Sequence, residues 1–327
     1  MAKDTIEDMS GESALGTDAA ARKRRRTLRE RVNALENKRL VIGVASTLFG
    51  GIFWGFSGTC ASFLFENYQV DTAWLMCTRQ LCSGALFLIP ILLSDRQRFV
   101  ELWRNRHDRR VMLLLAALGV LLNQFGYLLA VRYTNAGTAT VMQCLQLVLI
   151  MIYACITTHR APRRRELAGV VLAFAGTFFI ATGGNPSTLT IPPEGLVVGL
   201  LAAVGAACMS IIPVSILPKY GSSIVTGSGM LVSGVVTSIF IQPWNNPPAL
   251  DAAGWEAFIV LTVVGSFLAY LLYMQGVKDI GSMRASLIGT VEPVSATITS
   301  AIVLGTVFAG TDILGFALII IMVFLTV

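Results

Sequence analysis

Charged residues are scarce in this chain of 327 residues, of which 13 % are charged and 54 % are hydrophobic. A typical soluble domain is about 25 % charged. Most of the charge lies in the first 39 residues and in two loops, so that apolar runs follow one another from Val41 onward. A helix needs about 20 such residues to cross about 30 Å of hydrocarbon. The composition excludes a soluble domain and predicts an all-α integral membrane protein.

Residue types that carry enzyme and metal chemistry are also few. The six cysteines all fall inside apolar runs, and the two histidines, His107 and His159, lie in arginine-rich loops. Neither type shows a metal-ligand spacing, and cysteines in such runs are typical of small buried hydrophobes. The sequence has no Walker A, G-x-S-x-G or H-E-x-x-H motif, and its spans have no paired protease residues. We therefore expect no enzymatic activity, no cofactor and no metal.

The apolar runs predict ten membrane spans. They cover residues 41–65, 72–94, 111–131, 136–157, 165–182, 194–217, 223–243, 254–276, 282–308 and 310–327.

Lysine and arginine are nearly absent from the loops on one side of these spans, where Arg132 is the only base. The other side has ten in the N-terminal tail, six in residues 95–110 and four in residues 158–166. By the positive-inside rule, both termini are cytoplasmic in a multi-pass protein of the plasma or inner membrane. The net charge of +6 follows from this topology and does not predict a nucleic-acid partner.

Residues 1–40 form a basic cytoplasmic tail without the apolar stretch of a signal peptide. Leu28, Val32 and Leu35 fall at i, i+4 and i+7, with arginines on the other faces. This spacing suits a short interfacial helix on anionic lipid. The alternative is a disordered tail that only sets the topology.

The second half of the chain resembles the first when the sequence is shifted by 146 residues. Residues 119–156 then match residues 265–302 without a gap, and Arg132 meets Lys278 between matching spans. Each half contains five spans, and an odd number makes the halves enter the membrane in opposite directions. We therefore predict two inverted five-helix repeats, the architecture of many secondary transporters that bind substrate near the midplane.

These repeats give the boundaries of two membrane domains. The first covers residues 41–184 and the second covers residues 193–327.

Glu292 is the main candidate for function, because it lies about 15 Å into its predicted span, at 1.5 Å per residue. An acid at this depth must face a cavity, pair with a base or stay protonated. Pro293 follows it and would leave one helical carbonyl free. Glu292 aligns with Gln146 of the first half, and Gln143 lies on the same face as Gln146. Glu292 either carries a coupling proton or contacts a substrate amine; the structural alternative is a protonated acid bonded to a neighbouring helix.

Other polar or aromatic residues inside the spans complete the candidate site. Arg79 is the only base well inside a span, and it either attracts a substrate carboxylate, pairs with Glu292 or snorkels outward. Trp54 and Ser57, one helical turn apart, either line a cavity or pack between helices. Hydrogen-bonding groups at repeat-related positions, each of which also suits a helix–helix contact, are Asn123, Gln124, Tyr127, Tyr270 and Tyr273.

Several stretches resemble the drug/metabolite transporter superfamily, and specifically its EamA-type family. They are FGGIFWGFSG, TRQ, RYTNAGTATV, AGVVLAFAGTFFIATGG, LIGTVEPVSATITSAIVLG and LGFALIIIMVFL. The resemblance covers the chain from about residue 41 to the end. It implies a central cavity enclosed by spans 1–4 and 6–9, with spans 5 and 10 as buttresses.

Two departures from the family pattern limit what the resemblance implies. The family often ends spans 4 and 9 with leucine-glycine-glutamate, where this chain has TTH and LGT. The family's proline in span 4 is Leu147 here, so only span 9 keeps Glu-Pro. No role of the family's terminal glutamates can be transferred to this chain.

Family members export amino acids, metabolites or drugs, some move nucleotide sugars or sugar phosphates, and others import. We expect a secondary transporter that works by alternating access and exports an amino acid or related compound, with protons as the candidate coupling ion. The alternatives are an uncoupled facilitator of the same fold for drugs or sugar derivatives, and a non-transporting membrane sensor. The expected partners are the small-molecule substrate and the lipid bilayer, and the sequence predicts no oligomeric state.

Overall fold

The computed structural model of the protein describes residues 38–187, 189–281, 285 and 288–326, apart from the side chain of residue 326. This part of the chain is helical and contains no β-strand. The predicted interfacial helix in the N-terminal tail lies outside the described residues.

Among the described residues, eight helices are long and apolar enough to cross a membrane. They are α1 (Lys38–Tyr68), α2 (Thr72–Ser94), α4 (Arg106–Tyr133), α5 (Ala136–Thr157), α6 (Arg164–Thr182), α7 (Pro193–Ser215), α8 (Ser222–Ile241) and α9 (Ala252–Ile280). Two shorter apolar helices, α10 (Val291–Leu304) and α11 (Gly310–Thr326), follow them. The all-helical class and eight of the predicted spans are therefore confirmed. The count of ten stays a prediction, because α10 and α11 have only 14 and 17 residues.

A short helix, α3 (Arg96–Arg104), lies in the basic segment that the sequence analysis treated as a loop. Leu102 of α3 is fully buried, and Phe99 and Trp103 pack against the same apolar cluster as Met112 of α4. Phe99, Leu102 and Trp103 follow the i, i+3, i+4 spacing of an amphipathic helix. This segment therefore covers the end of the helix bundle with an apolar face.

Two kinds of helix irregularity each occur twice, separated by the predicted repeat spacing of 146 residues. Helix α4 is π-helical over Leu115–Leu121, and α9 is π-helical over Val260–Leu268. Helix α5 is interrupted by a turn at Cys144, and α10 begins after a turn at Thr290. Because π segments and breaks are uncommon and cluster at functional sites, their recurrence marks the same places in both predicted halves.

Helices α2 and α8 pack against each other through reciprocal glycine contacts. A Cβ atom at Gly84 would lie 2.7 Å from the backbone nitrogen of Leu231. A Cβ atom at Gly234 would lie 2.8 Å from the backbone nitrogen of Leu81. Since only glycine permits such an approach, the two helix backbones touch directly. The contact aligns the sequence LCSG of α2 with LVSG of α8.

Helices α6 and α11 make a second reciprocal contact. A Cβ atom at Gly176 would lie 2.8 Å from the carbonyl oxygen of Gly315, and a Cβ atom at Gly315 would lie 2.8 Å from that of Gly176. Ile319 of α11 packs on Gly176, and Ile180 of α6 packs on Gly315. The two helices therefore meet at one point where neither has a side chain.

Two tyrosine–aspartate hydrogen bonds join the predicted halves. Tyr68, at the end of α1, donates to Asp251, which caps the start of α9 and whose pKa this hydrogen bond lowers. Tyr220, after α7, donates to Asp108 in the first turn of α4 at 2.8 Å. Lys219 Nζ also lies 3.1 Å from Asp108 Oδ1, and Asp108 is only 1 % exposed. The first bond links α1 to α9, and the second links the end of α7 to α4. Each therefore joins the first membrane helix of one predicted half to the third membrane helix of the other.

We expect Tyr220→Phe to lower the free energy of unfolding by about 1–2 kcal/mol, because the buried Asp108 carboxylate loses a donor. The measurement is thermal unfolding of the purified protein in detergent. Tyr68→Phe is the matched control, since its pair with Asp251 is solvent-exposed and should contribute much less. Equal losses for the two variants would contradict the expectation.

Candidate functional site

A cavity of about 280 Å³ lies between helices of both predicted halves. Its lining contains all eleven residues that the sequence analysis selected, together with three residues of α7. They are Trp54, Ser57, Arg79, Asn123, Gln124, Tyr127, Gln143, Gln146, Ala206, Met209, Ser210, Tyr270, Tyr273 and Glu292. The structure therefore brings every predicted site residue to one cavity, while their binding roles stay predictions.

One wall of the cavity is aromatic and joins α1 to α9. The ring of Trp54 lies 4.9 Å from that of Tyr270 in an edge-to-face arrangement and 5.0 Å from that of Tyr273. Ser57, one turn after Trp54, packs directly on Gly265 in the π-helical segment of α9. These contacts hold Trp54 at the cavity surface, where its half-buried ring is available to a ligand.

Another part of the lining carries amide and hydroxyl groups from α4 and α5. Gln143 Nε2 donates to Asn123 Oδ1 at 2.6 Å, and Asn123 Nδ2 lies 3.4 Å from Met209 Sδ. Tyr127 Oη lies 3.1 Å from Thr140 Oγ1, which donates to a backbone carbonyl of α5. Asn123, Gln143 and Tyr127 are therefore partly engaged with protein groups, as the structural alternative predicted, while they also face the cavity.

Arg79 lies in α2 and is only 7 % exposed. Its Nε donates to Ser266 Oγ at 2.7 Å, and Ser266 Oγ donates to the carbonyl of Leu261 at 3.2 Å within the π-helical segment. Its Nη1 is buried and has no hydrogen-bond partner among the residues that the structure describes. No ion pair joins Arg79 to Glu292 among the described residues. The burial of Arg79 does not fit snorkelling, and the residue lines the cavity.

Glu292 does not lie in the middle of a continuous helix, which is a correction to the sequence analysis. Thr290 caps α10, so that Glu292 and Pro293 fall in its first turn. The first N–H groups of a helix have no intrahelical partner, so Pro293 costs no hydrogen bond there. The helix N-terminus also favours a negative charge, which stabilises the carboxylate of Glu292. Gln146 has the equivalent place in the first turn after the break in α5.

A second cavity, of about 230 Å³, adjoins the first. Both are lined by Trp54, Gln143, Gln146, Ser210, Tyr273 and Glu292. The second adds Leu147, Ile150 and Gly289, which lie on the cytoplasmic side of Glu292 in the predicted topology. Arg79 lines only the first cavity. Glu292 therefore lies where the two cavities meet.

Ala206, Met209 and Ser210 of the lining and Ser266, which bonds Arg79, were not among the eleven selected residues. Ala206 and Met209 occur in a run of small and apolar residues that is typical of helix packing. Ser266 has no polar counterpart in the repeat, where Val120 aligns with it. In the part of the chain that the structure describes, no group of three or more His, Cys, Asp or Glu side chains could hold a metal ion.

The family model described as the EamA-like transporter family matches this chain over residues 41–182 and again over residues 193–327. The chain belongs to the EamA-like transporter family. The match places the cavity in a multi-pass membrane transporter, and the predicted EamA-type resemblance is confirmed.

Relatives of this EamA family member carry transporter names. The uncharacterized inner membrane transporter YicL of Salmonella typhimurium is 30 % identical over 277 residues, which are 85 % of this chain and 92 % of YicL. The uncharacterized transporter YyaM of Bacillus subtilis is 24 % identical over 245 residues, which are 73 % of this chain and 78 % of YyaM. A solved crystal structure with 18 % identity matches 88 % of this chain and 96 % of its own with a TM-score of 0.57, which supports the fold alone.

Proposed function

We propose that this EamA family member is a secondary transporter that exports a small organic metabolite, an amino acid or a related compound, by alternating access. One observation carries the proposal: a single polar cavity contains Arg79 and Glu292 together with amide and aromatic side chains from both halves of the chain. Clefts between helices with a few convergent polar groups are the usual form of small-molecule sites.

The recurring irregularities support two inverted five-helix repeats with α10 and α11 as the ninth and tenth spans. An inverted repeat relates its halves by a pseudo-twofold axis in the membrane plane. Such an axis makes contacts reciprocal, as at Gly84 with Gly234 and at Gly176 with Gly315. It also places one Tyr–Asp bond on each membrane face. Breaking the Tyr–Asp bond on one face while the other stays intact would open the cavity to one side at a time.

The cavity volume favours a small solute. About 280 Å³ lies just below the range of about 300–1,000 Å³ that is common for small-molecule sites. A free amino acid fits such a volume, whereas a nucleotide sugar needs more space. The first cavity alone therefore suits a solute of amino-acid size, and the adjoining cavity of about 230 Å³ extends the space beyond Glu292.

Glu292 is the proposed coupling group. It is half-buried and has no hydrogen-bond or ion-pair partner among the residues that the structure describes. Carboxyl groups inside membrane spans commonly lie on proton or ion pathways. Its place between two cavities allows it to exchange a proton with one side and to contact a substrate amine on the other.

The test is flux in proteoliposomes that contain the purified protein and a panel of labelled amino acids. We expect accumulation of one class of amino acid when a pH gradient is applied, and loss of that accumulation when a protonophore collapses the gradient. Vesicles without protein are the control. Equilibration without accumulation would contradict the coupling and identify a facilitator. The absence of flux for every amino acid would contradict the substrate class.

A further inference from the structure

We propose that Arg79 is the carboxylate-binding group of the central cavity and that the substrate is zwitterionic, with its carboxylate at Arg79 and its ammonium group at Glu292. This inference rests on the proposed function, because it assigns the substrate of the same cavity.

The first argument concerns the hydrogen bonds of the Arg79 guanidinium. A guanidinium is always charged in proteins and offers five N–H donors in a planar fork. Here Nε is used by Ser266, while Nη1 is buried without a partner. A buried charged donor without a partner is unusual in a folded protein. Arg79 lines the cavity, so a carboxylate that enters the cavity can contact a guanidinium whose hydrogen-bond partner among the described residues is Ser266.

The charge pattern is the second argument. The reciprocal contact aligns Gly84 with Gly234, and the same spacing of 150 residues aligns Arg79 with Gly229. Glu292 aligns with Gln146 at the repeat spacing. The first half therefore contributes a base that the second lacks, and the second contributes an acid that the first lacks. The lining has one positive and one negative group, which together suit a ligand with both charges.

The surroundings of the two charges are the third argument. Trp54 and Tyr273 line both cavities together with Glu292, and aromatic faces attract an ammonium group. Arg79 lines the first cavity and not the second, and its guanidinium fork matches the planar geometry of a carboxylate. A phosphate dianion would meet a single base here and would also meet the Glu292 carboxylate. A carboxylate at one end and an amine at the other satisfies both groups.

Ser266 is a positioning residue for Arg79. Its hydroxyl donates to the carbonyl of Leu261, five residues earlier, which is the π-helical spacing. The same hydroxyl accepts from Arg79 Nε and so fixes the orientation of the guanidinium beside the cavity. We expect Ser266→Ala to weaken carboxylate recognition without removing it.

The experiment compares four forms of glutamine, leucine and phenylalanine in the same proteoliposomes. The forms are the free amino acid, its amide without the carboxylate, its decarboxylated amine and its deaminated acid. We expect the wild-type protein to transport the best amino acid about 10- to 100-fold better than its amide or amine, which is the range for losing a hydrogen bond to a charged group. We expect the deaminated acid to be transported more weakly than the free amino acid.

Three variants assign the preference to Arg79. Arg79→Gln should reduce the ratio of amino acid to amide flux to about one, Arg79→Lys should give a lower ratio than the wild type, and Ser266→Ala should give an intermediate ratio. Arg132→Gln, which removes a base outside the cavity, should keep the wild-type ratio. Because the wild-type comparison needs no variant, it remains decisive if Arg79→Gln does not fold.

Each outcome separates this inference from the proposed function. Equal flux of amino acid and amide in the wild type, or an unchanged ratio in a folded Arg79→Gln protein, would overturn the inference while leaving a transporter. The absence of flux for all the compounds would overturn the proposed function itself.

Discussion

Glu292→Gln should reduce pH-gradient-driven accumulation of substrate at least about tenfold, which corresponds to 1.4 kcal/mol. Glutamine has nearly the same shape as glutamate, but it carries neither a charge nor an exchangeable acid proton. The variant therefore loses the only acid that lines the cavity among the described residues, and it gives the second half the residue that the first half has at position 146. The measurement is initial uptake in proteoliposomes at several external pH values.

The matched control is Glu256→Gln, an acid on the exposed first turns of α9 outside the cavity. It should transport as the wild type does. If Glu292→Gln keeps the wild-type pH profile and substrate affinity, Glu292 is neither the coupling group nor the amine contact.

Gly55→Ala should lower the free energy of unfolding by about 1–3 kcal/mol, the usual cost of overpacking. A Cβ atom at Gly55 would lie 2.5 Å from the carbonyl oxygen of Glu292 and 2.6 Å from the nitrogen of Ala296. Both are backbone atoms, so no side-chain rotation can relieve the clash and α10 must move away from α1. That movement also displaces the Glu292 carboxylate, and we expect transport to fall with stability.

Gly310→Ala is the control for this variant. A Cβ atom at Gly310 meets no atom within 4 Å. Thermal unfolding in detergent and flux in vesicles should both stay close to the wild-type values. A Gly55→Ala protein as stable as Gly310→Ala would show that the approach of α1 to α10 is not required.

The cavity lining was predictable because polar residues inside apolar spans are rare and cost free energy. Each such residue is therefore a candidate for a functional or structural role. Arg79, Gln146 and Glu292 could be selected on that ground alone, and the repeat placed Tyr127 opposite Tyr273. The orientation of each group was not predictable. The orientation of Arg79 depends on its hydrogen bond to Ser266. The position of Ser266 depends in turn on a π-helical segment, and no sequence pattern predicts that segment.

The helix breaks show the same limit. Pro293 indicated an irregularity in the second half, but its physical role is to occupy a helix start rather than to kink a continuous helix. The break at Cys144 occurs in a stretch without proline or glycine, so tertiary packing rather than local preference decides it. Helix α3 could have been recognised from the spacing of Phe99, Leu102 and Trp103, which the arginines around it obscured.

If the two predicted halves rotate as the proposed alternating access requires, the contact between Gly176 and Gly315 is their pivot. Helices α6 and α11 touch there through backbone atoms, and each contributes the same surface to the other. In a rigid rotation about this point, atoms at the contact hardly move, whereas atoms at the two distant Tyr–Asp bonds move much further. The separation of positions 176 and 315 should therefore stay constant during transport, while the distances at Tyr68 and Tyr220 change in opposite directions.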